Sequence, residues 1–286
     1  MNSQAQILQK ENQKDMLECQ FASRVCFNRA EKLNYIAGLL SILSALLIIP
    51  LPIKEEISIA ISLIIAAITL IIRRLARYYV EWGAKLRNFF DFNVLNIGTS
   101  EISWEDHSSI LEKIRAIANK HPDECQLAIN TDDQSDIPGV KNWYTFSREY
   151  NSNEAAVFEC QRQNHWWTDK GFLYRKVAYF ILLAILMIAV IIGVYYHSVK
   201  TIFCLISLVL NLCDDISENI KAWKIMQSIK TIVTLPGIEN NPSQIKRLQD
   251  YIERRRGLLV LEINSLHRKF AKQWTRLYKA RNTGDQ

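Results

Sequence analysis

The sequence predicts an all-α membrane protein: two transmembrane helical hairpins, hence four spans, with a mostly helical cytoplasmic insert and a long C-terminal helix. Three observations predict it. Apolar runs stand in two close pairs, Tyr35 to Ile53 with Ile57 to Ile72, and Val177 to Tyr196 with Thr201 to Cys213. Only Lys54-Glu55-Glu56 joins the first pair and His197-Ser198-Val199-Lys200 the second, so each pair folds back on itself. The stretch between the pairs is polar, as are both ends of the chain. The whole-chain hydrophobic fraction of 49% conceals the runs because charged segments dilute them.

The elements follow in order: an N-terminal helix over 1–33, hairpin 1 over 34–73, an insert over 74–176, hairpin 2 over 177–215 and a helical region over 216–286. Gln6 to Asn34 contains no Gly or Pro and places Leu8, Met16, Phe21, Val25 and Leu33 along one stripe, so it predicts a helix running into the first span. That span ends at Pro50 and Pro52, which favour a turn. The second is shorter, with Arg73 and Arg74 placed to carry their charges to the interface on apolar stems. Leu75 to Phe92 continues as helix, and its aromatics Tyr78, Tyr79, Trp82, Phe89 and Phe90 suit an interfacial belt.

Within the insert, Ser103 is an expected N-cap with Asp106 three positions on, Ile110, Ile114 and Ile117 repeat at helical spacing, and Pro122 stops the helix. Thr131 to Gly139 reads as an acidic turn, and Glu154 to Tyr174 as a helix feeding the third span. Val177 to Tyr196 supplies the roughly 20 uncharged residues that a bilayer requires. Thr201 to Cys213 would reach only about 20 Å as a helix, which draws Asp214 and Asp215 toward the membrane. Ile216 to Ile232 follows as a helix ended by Pro236 and Gly237. The terminal helix carries Ile252, Leu259 and Leu266 seven apart, and likewise Ile263, Phe270 and Leu277, a seam interrupted by Arg256 and Gln273. Intramolecular packing and an oligomeric coiled coil both fit that seam.

Arg24, Arg29 and Lys32 precede the first span, Arg73, Arg74 and Arg77 follow the second, and Lys170, Arg175 and Lys176 precede the third. Each hairpin turn has a single lysine, so the positive-inside rule places both termini and the insert in the cytoplasm. The polar, helix-prone N-terminus is not expected to act as a cleavable signal. The six cysteines lack metal-site spacing and read as reduced thiols, with no cofactor or metal implied. From Ile245 to Arg281 eleven Lys or Arg face three acidic residues, which exceeds the net +6 of the whole chain. Such a helix suits anionic headgroups or a phosphorylated ligand, while specific DNA or RNA binding is not expected.

No nucleotide-binding glycine loop, zinc-protease helix or nucleophile elbow occurs, so an enzyme is not expected; only Cys160 or His165 could serve an unrecognised one. The polar residues inside the spans are more suggestive. Ser58, Ser62 and Thr69 share one helical face, and Ser207, Asn211, Asp214 and Glu218 make a similar stripe. Two readings stand. They line a pore, with Asp214, Asp215 and Glu218 as a cation-favouring mouth, or they knit helices together by hydrogen bonds.

Two segments of the insert go beyond composition: Gly139-Val140-Lys141-Asn142-Trp143-Tyr144, and Cys160-Gln161-Arg162-Gln163-Asn164-His165-Trp166-Trp167, followed by Arg175. With the paired hairpins, these resemble the bacterial four-transmembrane SMODS-associated pore-forming effector family over nearly the whole length. Asn142 stands where many members are expected to carry aspartate. The resemblance implies an inner-membrane effector of an anti-phage, abortive-infection system, coupled to a partner that makes cyclic oligonucleotides, and acting as a homo-oligomer in the lipid bilayer. It marks Lys141, Trp143, Tyr144, Gln161, Arg162, Asn164, Trp166 and Trp167 as a cluster that either senses the ligand through phosphate and base contacts or forms a buried collar. The alternative function is a non-conducting, membrane-anchored scaffold that recruits a cytoplasmic partner.

Overall fold

Four long helices organise the chain in a computed structural model, which describes residues 3–47, 54–98, 104–133, 135, 139–146, 148–150, 152–196, 199–260, 273–274, 276–278 and 280. Helix α1 is Ser3–Glu11, α2 Lys14–Leu46, α3 Glu55–Leu95, α4 Trp104–Lys120, α5 Pro122–Asn130, α6 Asn153–Tyr196, α7 Val199–Val233 and α8 Pro242–Arg256. Among the described residues no strand occurs, only an isolated bridge between Asp132 and Lys141. Pro50, Pro52, Ser103, Leu266, Ile263 and Phe270, on which sequence expectations fell, lie outside the described residues, as do the His197-Ser198 turn and the side chain of Arg175.

Helices α2, α3, α6 and α7 each run from an apolar half into a polar half. In the apolar half the usual amphipathic order is inverted. Helix α3 buries Ser58, Ser62, Ala66 and Thr69 and exposes Ile57, Ile61, Ile64, Ile68 and Ile71. Helix α2 buries Ala37, Ser41, Ser44 and Ala45 and exposes Ile36, Leu39, Leu43 and Leu46, while α7 exposes Ile202, Ile206, Val209 and Leu210 around buried Ser207 and Asn211. Small and polar groups face inward because they let backbones approach and hydrogen-bond, whereas large aliphatics face outward. That order suits lipid rather than water. By length and hydropathy, α3 is the one helix among the described residues that qualifies as a span, with a mean of 2.2 over a window only 22% buried. Helix α6 packs on α7 and α8, and Phe180, Met187, Ile191 and Tyr195 stand exposed.

The polar half has the ordinary arrangement of a water-soluble bundle. Its core joins Leu17, Phe21 and Val25 of α2, Leu86 to Val94 of α3, Ile110, Ile114 and Ile117 of α4, Val157 of α6, Ile229 of α7 and Leu248 of α8. Three sequence expectations are corrected here. Phe89 and Phe90 are buried in this core, not in a belt, because α3 continues well beyond Arg73 and carries them about 24 Å past it. The N-terminal helix breaks at Asn12 and Gln13, where the Asn12 amide donates to the Leu8 carbonyl at 2.9 Å and to Asn142 Oδ1 at 3.0 Å. The long C-terminal helix stops at Arg256: the Gly257 N–H caps it on Glu253 O, and Leu259 turns inward against Ala30, Ala76 and Val80. Leu277 is exposed.

Candidate functional site

The two sequence segments of the insert meet in the polar half. Their first half is a tight loop whose geometry explains its residue types. Gly139 sits against the end of α5, where a Cβ would lie 1.6 Å from Thr131 O and 2.6 Å from Ala128 O, so no other residue fits there. Val140 N–H donates to Ala128 O at 2.9 Å and Gly139 N–H to Asp132 O at 3.0 Å. Asn142 has φ +51, a left-handed backbone that Asn and Asp tolerate best. Its amide donates to Asp132 Oδ1 at 2.8 Å, a bond that aspartate at 142 could not make unless protonated. We expect Gly139→Ala to unseat this loop and lower the melting temperature by roughly 10 °C or more, checked by thermal unfolding in detergent.

The loop delivers Trp143 and Tyr144 to the core. The Arg87 guanidinium lies 4.1 Å above the Trp143 ring, and Trp167 meets that ring edge-on with centroids 5.7 Å apart. Tyr144 is fully buried, and its hydroxyl joins the two segments. Asn164 Nδ2 donates to it at 3.1 Å, and it donates in turn to Asp91 Oδ1 at 3.2 Å. Asp91 Oδ2 accepts from Gln249 Nε2 at 2.9 Å and from Arg256 Nη1 at 2.7 Å. Gln161 Nε2 completes the path, donating to Gln249 Oε1 at 3.1 Å and to Ile245 O at 3.2 Å. Asp91 is thus a fully buried carboxylate that ties α3, α6, α8 and the loop into one collar.

Of the residues marked by the sequence, Trp143, Tyr144, Gln161, Asn164 and Trp167 are collar members. Lys141 is exposed and contributes only backbone, to the Asp132 bridge. Arg162 and Trp166 face the C-terminal segment, with Arg162 Nη2 2.6 Å from Glu159 Oε2. Cys160 is fully buried, and burial pushes its thiol well above the ordinary range, which disfavours the nucleophilic thiolate. Burial lowers the His165 pKa. The side chains of Cys160 and His165 leave α6 about 140° apart.

Glu11 is a further collar residue that sequence reading missed. It is buried, and Oε2 accepts from the Tyr144 N–H at 3.0 Å, while Oε1 has no partner. Burial raises its pKa from 4.5 to about 8, although that hydrogen bond and Arg87 pull it down; Asp133 adds to the rise. Between these two values the folded state keeps a proton that the unfolded chain releases, so stability falls as pH rises through this window and levels off above it. Glu11→Gln removes the ionisation: the variant should be more stable than the wild type at pH 7 by about 3 kcal/mol and lack this slope, checked by denaturant unfolding from pH 5 to 9.

A second polar constellation lies at the junction of the two halves. Arg73 is only 8% exposed, and its guanidinium reaches Asp214 Oδ2 and Asp215 Oδ1, each at 2.7 Å, and Asn34 Oδ1 at 3.2 Å. Arg77 stands 3.6 Å from both Asp214 and Glu218. Arg73 therefore does not reach outward to the interface as its sequence context suggested. The signal was available: arginines at 73 and 77 and acids at 214 and 218 share the same four-residue spacing. Above this cluster a polar seam runs inside the helix bundle. Asn211 Nδ2 donates to Ala37 O at 3.3 Å and to Ser41, Ser41 and Ser207 hydroxyls lie 2.9 Å apart, and Ser44 donates to Cys204 O at 3.0 Å. Ser62 donates to Ser58 O at 2.9 Å, while the hydroxyls of Ser58 and Thr69 are buried without a partner. The structure thus gathers Ser58, Ser62, Thr69, Ser207, Asn211, Asp214 and Asp215 along α3 and α7, all but Asp214 facing inward.

Neither the curated proteins nor the solved structures compared include a match to the chain. A profile of the SMODS-associating 4TM effector domain does match, over residues 5–233, taking in both insert segments, the collar up to α7 and the whole Arg73 cluster. With four-fifths of its length covered, the chain belongs to the family of SMODS-associating 4TM effectors, membrane proteins linked to systems that make cyclic oligonucleotides.

Proposed function

We propose that the protein is a pore-forming or membrane-disrupting effector of an anti-phage, abortive-infection system, gated through its polar half by a cyclic-oligonucleotide signal. The apolar halves of α2, α3, α6 and α7 are four spans of the bacterial inner membrane, with the collar and both termini in the cytoplasm. At 1.5 Å per residue the helices run roughly 50 to 65 Å, against about 30 Å of hydrocarbon, so each carries a movement of the collar into the bilayer without a break. The protein works as a homo-oligomer and performs no catalytic step.

One observation carries this reading: a polar seam inside an apolar shell, closed at the collar end by Arg73 with Asp214 and Asp215. Intramembrane hydroxyls and a boundary ion cluster are the usual material of a hydrated path. Its hydrogen bonds equally favour a second reading, a non-conducting scaffold held together by that seam. Dye release from liposomes separates the two. The effector reading expects release on adding cyclic oligonucleotides, altered by Asn211→Ala and Asp214→Asn. A bilayer that stays tight under every nucleotide would sink it in favour of the scaffold.

A further inference from the structure

Beyond the family region, a short piece of the C-terminus returns to the collar. Trp274 and Tyr278 are 6% and 5% exposed, and both lie on the α6 turns that carry Glu159, Arg162 and Trp166. The Tyr278 hydroxyl donates to Glu159 Oε1 at 2.6 Å and accepts from Arg162 Nε at 3.1 Å. The Trp166 indole N–H donates to the Trp274 carbonyl at 3.2 Å, and its ring meets that of Tyr278 with centroids 5.7 Å apart. Arg162 also lies 5.7 Å from the Tyr278 ring centroid.

We propose that the segment around Trp274 and Tyr278 is an autoinhibitory latch, which occupies the Glu159–Arg162–Trp166 face of α6 and holds that helix in its resting pose. The proposal rests on the effector reading above. Three features support a releasable latch over a permanent part of the core. The segment lies outside residues 5–233, yet covers Arg162 and Trp166 of the second insert segment. The described contacts include two aromatic side chains and the hydrogen bonds of Tyr278 and Trp274, which meet α6 over about two turns, and a contact of that local kind opens more readily than the collar core. Trp166 is only about 16 Å along α6 from Val177, where the apolar run begins, so a shift of these turns passes directly into the membrane half. Release also takes the Tyr278 donor from Glu159, a buried carboxylate that otherwise keeps the Gln163 amide at 3.5 Å and the Arg162 guanidinium at 2.6 Å.

The full-length Trp274→Ala/Tyr278→Phe protein in liposomes tests this, beside Tyr278→Phe alone, which keeps the ring and loses only the hydroxyl. We expect amide hydrogen exchange across residues 153–170 to rise at least tenfold in the double variant, and leakage without nucleotide to rise at least tenfold over wild type, with the single variant between. Exchange and leakage equal to wild type would overturn the latch. So would raised exchange with resting leakage unchanged, in a preparation whose wild type leaks on adding cyclic oligonucleotides. If the wild type leaks under no nucleotide, the effector reading fails and exchange alone decides: a rise supports the latch as a restraint on α6, no rise overturns it.

Discussion

Arg73→Ala should leave the bilayer leaky at rest. The substitution strands Asp214 and Asp215 at the edge of the apolar half with Arg77, 3.6 Å from Asp214, as the nearest remaining cation. Breaking one side of a largely buried pair is worth about 3–5 kcal/mol. Taking 3 kcal/mol as an order of magnitude, the balance between closed and open arrangements moves by about two powers of ten. The expected readout is resting dye release at least tenfold above wild type, with toxicity on expression that no longer needs a signal. Neutralising the acids as well, in Arg73→Ala/Asp214→Asn/Asp215→Asn, should bring resting leakage back toward wild type, because the uncompensated charges are then gone. Resting leakage in Arg73→Ala equal to that of the wild type would show that this cluster does not hold the seam closed.

Asp91→Ala should loosen the hold of α3 and the loop on α8. Tyr144, Gln249 and Arg256 all give a donor to this one carboxylate; its loss takes this acceptor from the Tyr144 phenol, leaves the Gln249 amide a long bond to Glu253 Oε1 at 3.3 Å, and leaves the Arg256 guanidinium Asn88 Oδ1 at 3.1 Å without this counter-charge. Unsatisfied neutral donors cost about 1–3 kcal/mol each and a buried unpaired charge about 3–5 kcal/mol; relaxation and water entry reduce the sum. A net loss of roughly 4 kcal/mol is the expected outcome, seen as faster amide exchange in α8 and a lower melting temperature. Asp91→Asn should be milder, since an amide oxygen can still accept from Arg256. A melting temperature unchanged in Asp91→Ala would contradict the place given to this residue.

The apolar runs made the long helices legible because a continuous apolar run is a local property, and the Ile110, Ile114 and Ile117 repeat fell in the core for the same reason. The collar was not legible in this way. Asp91 meets Gln249 across 158 positions of sequence, and nothing local in either helix distinguishes such residues from a solvated face. The family resemblance pointed to Tyr144, Gln161 and Asn164, but only the structure shows that they bond to Asp91, Gln249 and one another. Phe89 and Phe90 misled because aromatics beyond a span suit an interface and a packed core equally, and the length of α3 decides between them. Gly257 carried a fair warning of a helix end, yet the hydrophobic repeat through Leu259 and Leu266 continued past it. Leu259 is apolar for a different reason, its place beneath α2 and α3.

Under the proposed function, a cytoplasmic signal read by the collar opens the apolar half. Current across a planar bilayer holding the oriented wild-type protein measures this directly, with cyclic oligonucleotides added to one chamber at a time. The expected result is a silent membrane at rest and conduction when nucleotide reaches the collar side, with none from the opposite side. No current from either side with any cyclic oligonucleotide, or a current indifferent to the nucleotide, would contradict it.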